Sequence, residues 1–142
     1  MATSGYSGTP LPKKLGIRSG QVILLYKAPE NYDSILTDVP DGVRFVKSSK
    51  NKVDMVHIFA RTSRDLRTAL NKHRCSIKEA GMIWVSWYKK ASKIPTDVTE
   101  DTIREVCLPM GLVDIKVCAV DEKWSGLKLV IRKEDRKKPQ PN

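Results

Sequence analysis

The stretch VDMVHIFARTSRDLRTALNKHRCSIKEAGMIWVSWY, residues 53–88, decides the fold. Val53 to Phe59 has strand length and is rich in β-branched and other apolar residues. It runs into Thr62, an N-cap residue type, with Asp65 three positions on in the manner of a capping box. Beyond the cap, Leu66, Ala69, Leu70 and His73 recur at helical spacing, while Arg64, Arg67, Asn71 and Arg74 fall on the other side. Gly81 then leads into Met82 to Tyr88, where Ile83, Val85 and Trp87 alternate with Met82 and Trp84. A strand apolar on both faces is covered by helices on both sides, as in parallel sheets. Strand, helix and strand in that order predict a right-handed crossover between parallel neighbours.

Upstream, Thr9-Pro10 before Leu11 and Leu15, closed by Gly16, reads as N-cap, first-turn proline, apolar contacts and C-terminal glycine of a short helix. Val22 to Tyr26 is a central strand, Tyr32 to Leu36 a short helix, and Pro40-Asp41-Gly42 a turn before a brief strand from Val43 to Val46. Downstream, Lys89 to Thr96 is a loop. Asp97 with Glu100 forms a second capping box for a helix carrying Ile103, Val106, Cys107 and Met110, which Gly111 ends. Val113 to Ala119 and Leu127 to Ile131 alternate around Asp121-Glu122-Lys123 and predict an antiparallel hairpin at a sheet edge. The expected class is α/β, a three-layer Rossmann-like mostly parallel sheet with a C-terminal antiparallel hairpin. Residues 1–131 read as one domain and 132–142 as a loose, charged, proline-containing tail. No internal repeat is found.

Composition narrows the function classes. The 142 residues suit one domain, and 40% apolar with 30% charged residues is unlike a disordered chain. No apolar run approaches the ~20 residues of a membrane helix, and Met1 to Gly8 lacks a signal-peptide pattern, so a cytoplasmic protein is expected. Cys75, Cys107 and Cys118 are too far apart for a metal motif and odd in number, so buried thiols are expected, with no metal and no cofactor. The net charge of +10 is concentrated: residues 44–93 hold 13 of the 26 basic residues but three of the 16 acids. Such a field favours anionic partners.

Several separated motifs carry a resemblance: Gly5-Tyr6-Ser7-Gly8-Thr9-Pro10-Leu11, Trp84 to Ser92, Pro95 to Glu100, Gly111-Leu112-Val113-Asp114 and Trp124-Ser125-Gly126-Leu127. Together they resemble a family of small bacterial proteins defined as a domain of unknown function, which implies no particular activity. Tyr88 stands where that family has proline and Lys93 where it has glycine, which implies a loop of different shape. The helix after Phe59, the glycine before Met82 and the terminal hairpin also resemble the second half of a Rossmann-like methyltransferase, an analogy of fold alone.

A nucleotide-cofactor site needs a glycine-rich turn after its first strand so that the backbone can approach the pyrophosphate or sulfonium. Here the turn is Lys27-Ala28-Pro29-Glu30-Asn31, and the second strand ends in Lys47-Ser48-Ser49 without a carboxylate for a ribose. Lys89, Lys90 and Ser92 follow the carboxyl end of a central strand, where open α/β sheets bind ligands, and the amides opening the next helix add to an anion site. The leading expectation is noncatalytic binding of a small anion by Lys89, Lys90 and Ser92, with Tyr6 and Thr9 nearby. A second is an accessory nucleic-acid protein using Arg64, Arg67 and Arg74 along phosphates. The third is a degenerate S-adenosylmethionine-dependent methyltransferase. His57 in a strand and His73 on an apolar helix face read as packed histidines without visible partners, and Trp124-Ser125-Gly126 as a turn device.

Overall fold

The computed structural model describes residues 9–136. Its core is the crossover that residues 53–88 predict. Strand β1 (Val22–Tyr26), strand β2 (Arg44–Val46), strand β3 (Val53–Phe59) and strand β4 (Ile77–Tyr88) lie in one sheet with β5 (Leu112–Ala119) and β6 (Trp124–Ile131), in the order β2-β1-β3-β4-β6-β5. β1 pairs in parallel with β2 and β3, and β3 with β4.

The expected hairpin forms at one edge of the sheet. β6 inserts between β4 and β5, antiparallel to both, so β5 is the outer strand and runs in the direction of β1–β4. The sequence places the hairpin next to the parallel strands without saying which of its arms pairs with them. Apolar burial settles that choice, because Leu127, Leu129 and Ile131 of β6 are buried whereas Ile115 and Val117 of β5 are exposed.

Strand β4 also begins earlier than Met82. Val53 pairs with Ile77 and Met55 with Met82, so the ladder bulges between them. Gly81 sits in that bulge: a Cβ there would lie 2.9 Å from the Lys78 carbonyl and 3.0 Å from the Asp54 carbonyl. The glycine permits close backbone approach within the strand and does not start it.

Helices cover both faces. Leu66, Ala69 and Leu70 of α3 (Ser63–His73) and Ile103, Val106 and Cys107 of α4 (Glu100–Cys107) pack on Val56, Ile58, Ile83 and Val85. On the other face Leu15 of α1 (Leu11–Leu15) and Tyr32 of α2 (Tyr32–Ile35) meet Ile23, Met55, Phe59, Met82 and Trp84. Trp84 is wholly buried, and its indole N–H donates to the Leu15 carbonyl at 2.9 Å, clamping the end of α1 on the sheet.

The caps are shifted in two places. Thr62 accepts from the Asp65 amide as expected, but Thr9 is not the cap of α1; Pro10 holds that position, and Gly16 closes the helix in left-handed backbone. The cap of α4 is Thr99, boxed with Thr102, rather than Asp97 with Glu100. Asp97 instead accepts from the amide and hydroxyl of Ser63, tying the β4–α4 loop to the start of α3. Of the segment from Arg132, the Arg132 amide donates to the Gly111 carbonyl and Arg136 Nε to the Ile131 carbonyl, while residues 137–142 lie outside the described residues.

Candidate functional site

The carboxyl ends of β1, β3 and β4 share one rim, and the winding reverses between β1 and β3. The connection after β1 carries α2 on one face, and that after β3 carries α3 on the other. Such a switch point is where open α/β sheets place ligands. Here Lys27 makes the turn after β1 with φ 56°, a left-handed conformation that glycine usually takes. Its amine reaches Asp65 on α3 at 3.1 Å, bridging the two connections.

On this rim a cleft of about 290 Å³ opens between the β1–α2 loop (Pro29, Asn31), the end of β4 with the loop after it (Tyr88, Ile94) and the β5–β6 turn (Glu122, Lys123). Tyr88 stacks on Trp124 at 4.0 Å between ring centroids, giving a flat aromatic wall. The turn holds its shape because Asp121 accepts from the amides of Lys123 and Trp124, both at 2.8 Å. The Lys89 amide donates to the Lys123 carbonyl at 2.8 Å, so the lysine loop is stitched to the same turn.

The residues expected in the site fare differently. Lys89 and Lys90 follow Tyr88 on this rim, half-buried and exposed respectively, and flank the cleft without lining it. Ser92 is occupied within its own turn, donating to the Lys89 carbonyl at 2.7 Å and accepting from the Ile94 amide at 3.1 Å. Thr9 lines a separate groove with Lys13, Lys14 and Lys116 between α1 and β5. Tyr6 lies outside the described residues. The start of α4 adds nothing to an anion site, since Thr99 and Thr102 engage its amides and Glu100 and Asp101 stand in its first turn. Lys93 adopts φ 60°, so the loop keeps the left-handed corner that the family's glycine implies.

Of the arginine stripe, Arg64 and Arg67 are exposed with Asn71, but Arg74 is turned inward, with Nε donating to the Met110 carbonyl at 2.7 Å. Two guanidinium groups, not three, remain on that face.

Sequence reading missed one polar array. His57 Nδ1 lies 3.0 Å from Tyr32 Oη and His57 Nε2 lies 2.8 Å from Ser86 Oγ, with all three residues buried. Burial pushes the imidazole down to about 3 and raises the phenol well above its usual range. A serine bonded to a histidine is the geometry of an activated nucleophile. Here Phe59 stacks on the imidazole at 4.4 Å and Ser86 has no exposed surface, so no substrate reaches the pair and its role is to satisfy polar groups within the core. Tyr32 and Ser86 are 25 and 29 positions from His57; the pairing of β3 with β4 brings Ser86 to the imidazole, and the packing of α2 on the sheet brings Tyr32. His73, the other histidine, bonds Ser76 Oγ through Nδ1 at 3.0 Å. Among the described residues no cluster of three or more His, Cys, Asp or Glu side chains is placed to hold a metal, and no helix is long and apolar enough to cross a membrane.

Comparison with known proteins agrees with this architecture. The family model DUF3052, described as a protein of unknown function, matches residues 12–133. A comparison with curated proteins finds no match. Among solved structures, a candidate type 11 methyltransferase from Sulfolobus solfataricus superimposes with a TM-score of 0.64 at 13% identity, covering 93% of this chain and 95% of that one. The fibrillarin pre-rRNA processing protein of Methanococcus jannaschii gives 0.59 at 10% identity over 87% and 69% of the two chains. The N-methyltransferase NodS of Bradyrhizobium japonicum gives 0.56 at 10% identity over 85% and 92%. At such identities the likeness is one of fold alone.

Proposed function

The chain belongs to the DUF3052 family of proteins of unknown function, and from that premise we propose that it binds a small anionic ligand, without transforming it, in the cleft at the carboxyl-end rim. The observation that carries this reading is the hydrogen bond from the Lys89 amide to Lys123, which gathers Lys89, Lys90 and Lys123 beside the stacked Tyr88–Trp124 wall. A ligand with a flat apolar part and an anionic end suits that pairing of surfaces. Ser92 then shapes the loop and does not touch the ligand, and Thr9 is not in the ligand set.

Methyl transfer is less well supported. The turn after β1 has Lys27 where a cofactor-binding backbone needs glycine, and the Lys27–Asp65 pair spans the switch point. The Ser86–His57 pair is sealed, which also argues against hydrolysis. Calorimetry with S-adenosylmethionine is expected to show no binding heat; saturable heat would restore the enzyme reading. A cytoplasmic location belongs to the same proposal, supported by three free cysteines.

The direct test is a thermal-shift screen of anionic metabolites against the protein and its Lys89→Gln/Lys90→Gln double variant. A ligand at a hundred times its Kd stabilises by about 2.7 kcal/mol, and the double variant is expected to lose that shift. Hits that stabilise both proteins equally would refute the site.

A further inference from the structure

A second cavity, of about 350 Å³, opens at the opposite, amino-end rim, between the turn before β1, the bulge of β4 and the far end of β6. Its charged lining is Arg18, Lys78, Lys128 and one acid, Asp54. That acid is committed: one carboxylate oxygen lies 3.0 Å from Lys78 Nζ and the other accepts from the Val22 amide at 2.8 Å. Among the described residues, the side-chain cations of Arg18 and Lys128 have neither a hydrogen bond nor an ion pair. All 16 acidic residues of the chain lie within the described range, so no aspartate or glutamate elsewhere can supply the missing charge.

The position of Lys128 makes that imbalance acute. It stands directly opposite Lys116 in the β5–β6 ladder, a like-charge pair that weakens a sheet. Lys116 turns its amine away to the Lys14 carbonyl. The Lys128 amine is instead half-buried near Gly16 and the Met82 thioether: a Cβ built on Gly16 would meet Lys128 Nζ at 3.5 Å and Met82 Cε at 3.8 Å. Burial, then Lys116 and Arg18, lower the affinity of this amine for its proton. A partly desolvated ammonium beside two other cations, facing a cavity, is held at a cost that a bound anion removes.

We propose that this cavity binds a phosphate or phosphate monoester, gripped by the Arg18 guanidinium and the Lys128 ammonium. The lining carries an excess of two positive charges, and a phosphoryl group near neutrality carries about −1.5 to −2. Arginine supplies a planar fork and lysine a point charge, a pair suited to phosphoryl oxygens. Gln21 holds Arg18 in place by accepting from its backbone amide at 2.9 Å.

The experiment titrates the full chain with inorganic phosphate, and separately with glycerol phosphate, at constant ionic strength, by calorimetry and thermal denaturation. Saturable binding is expected, with Arg18→Gln and Lys128→Met each weakening it at least about tenfold. Tighter binding of the ester assigns the remaining cavity to an organic substituent; equal binding assigns free phosphate. Lys128→Met should also raise the melting temperature of the unliganded protein, an outcome that a purely structural lysine would not give. If that variant fails to fold, the exposed Arg18→Gln decides. Absence of saturable binding, or affinity that survives in Arg18→Gln and falls in Lys89→Gln/Lys90→Gln, would overturn the assignment.

Discussion

His57 is the residue most dependent on its surroundings. Its folded pKa of about 3 lies below the ordinary 6.5 because burial opposes the charged ring, so the folded state binds fewer protons than the unfolded one. The sign follows: stability is full above pH 6.5 and falls steadily as the pH drops from there toward 3. His73 is shifted in the same direction by burial and Lys72 and adds to the slope. Urea denaturation at several pH values should show the loss, and His57→Gln should flatten most of it. Two backbone positions test the packing in opposite senses. A Cβ at Gly126 would press within 3.0 Å of Val120 and 3.1 Å of Trp84, so Gly126→Ala is expected to destabilise by about 1–3 kcal/mol. This glycine is therefore a packing residue in β6 rather than the turn device its neighbours suggest. Lys93→Gly, by contrast, relieves a left-handed corner and should stabilise by roughly 0.5–1 kcal/mol, read as a raised midpoint in the same titration.

At the scale of elements, α3 joins the crossover to the rim through two kinds of contact of unequal worth. Thr62 caps the helix by accepting from the Asp65 amide at 3.0 Å, and Thr62→Ala should cost about 1 kcal/mol. The Asp65 carboxylate pairs with Lys27 across solvent, and screening there leaves Asp65→Asn less costly than the cap variant. Equal losses in chemical denaturation would show that the pair across the switch point is stronger than its exposure implies. The capping of α3 was legible because Thr62 and Asp65 are three residues apart. That of α4 was misread because Asp97 and Thr99 are both capping types two positions apart, and the contact with Ser63, 34 residues away, decides between them.

Across the whole molecule the excess of +10 falls within residues 44–93, but the helix face there keeps two of its three arginines, because Arg74 is withdrawn to the Met110 carbonyl. Any polynucleotide binding at low salt should be diffuse, so Arg64→Gln/Arg67→Gln should reduce the log–log salt slope by no more than about 2. A larger fall in filter binding at two ionic strengths would return the arginine face to the foreground. The sequence by itself determined the alternation of strands and helices, the crossover of residues 53–88 and the left-handed Gly16 and Gly111, because periodicity, caps and turns are local. Only the tertiary structure decided that β6 lies inside the sheet, that His57 meets Tyr32 and Ser86, that Thr9 leaves the rim for another groove, and that Arg18 and Lys128 share a cavity. Those facts depend on which strands pair and in what register, and pairing is settled by apolar burial between segments far apart in the chain.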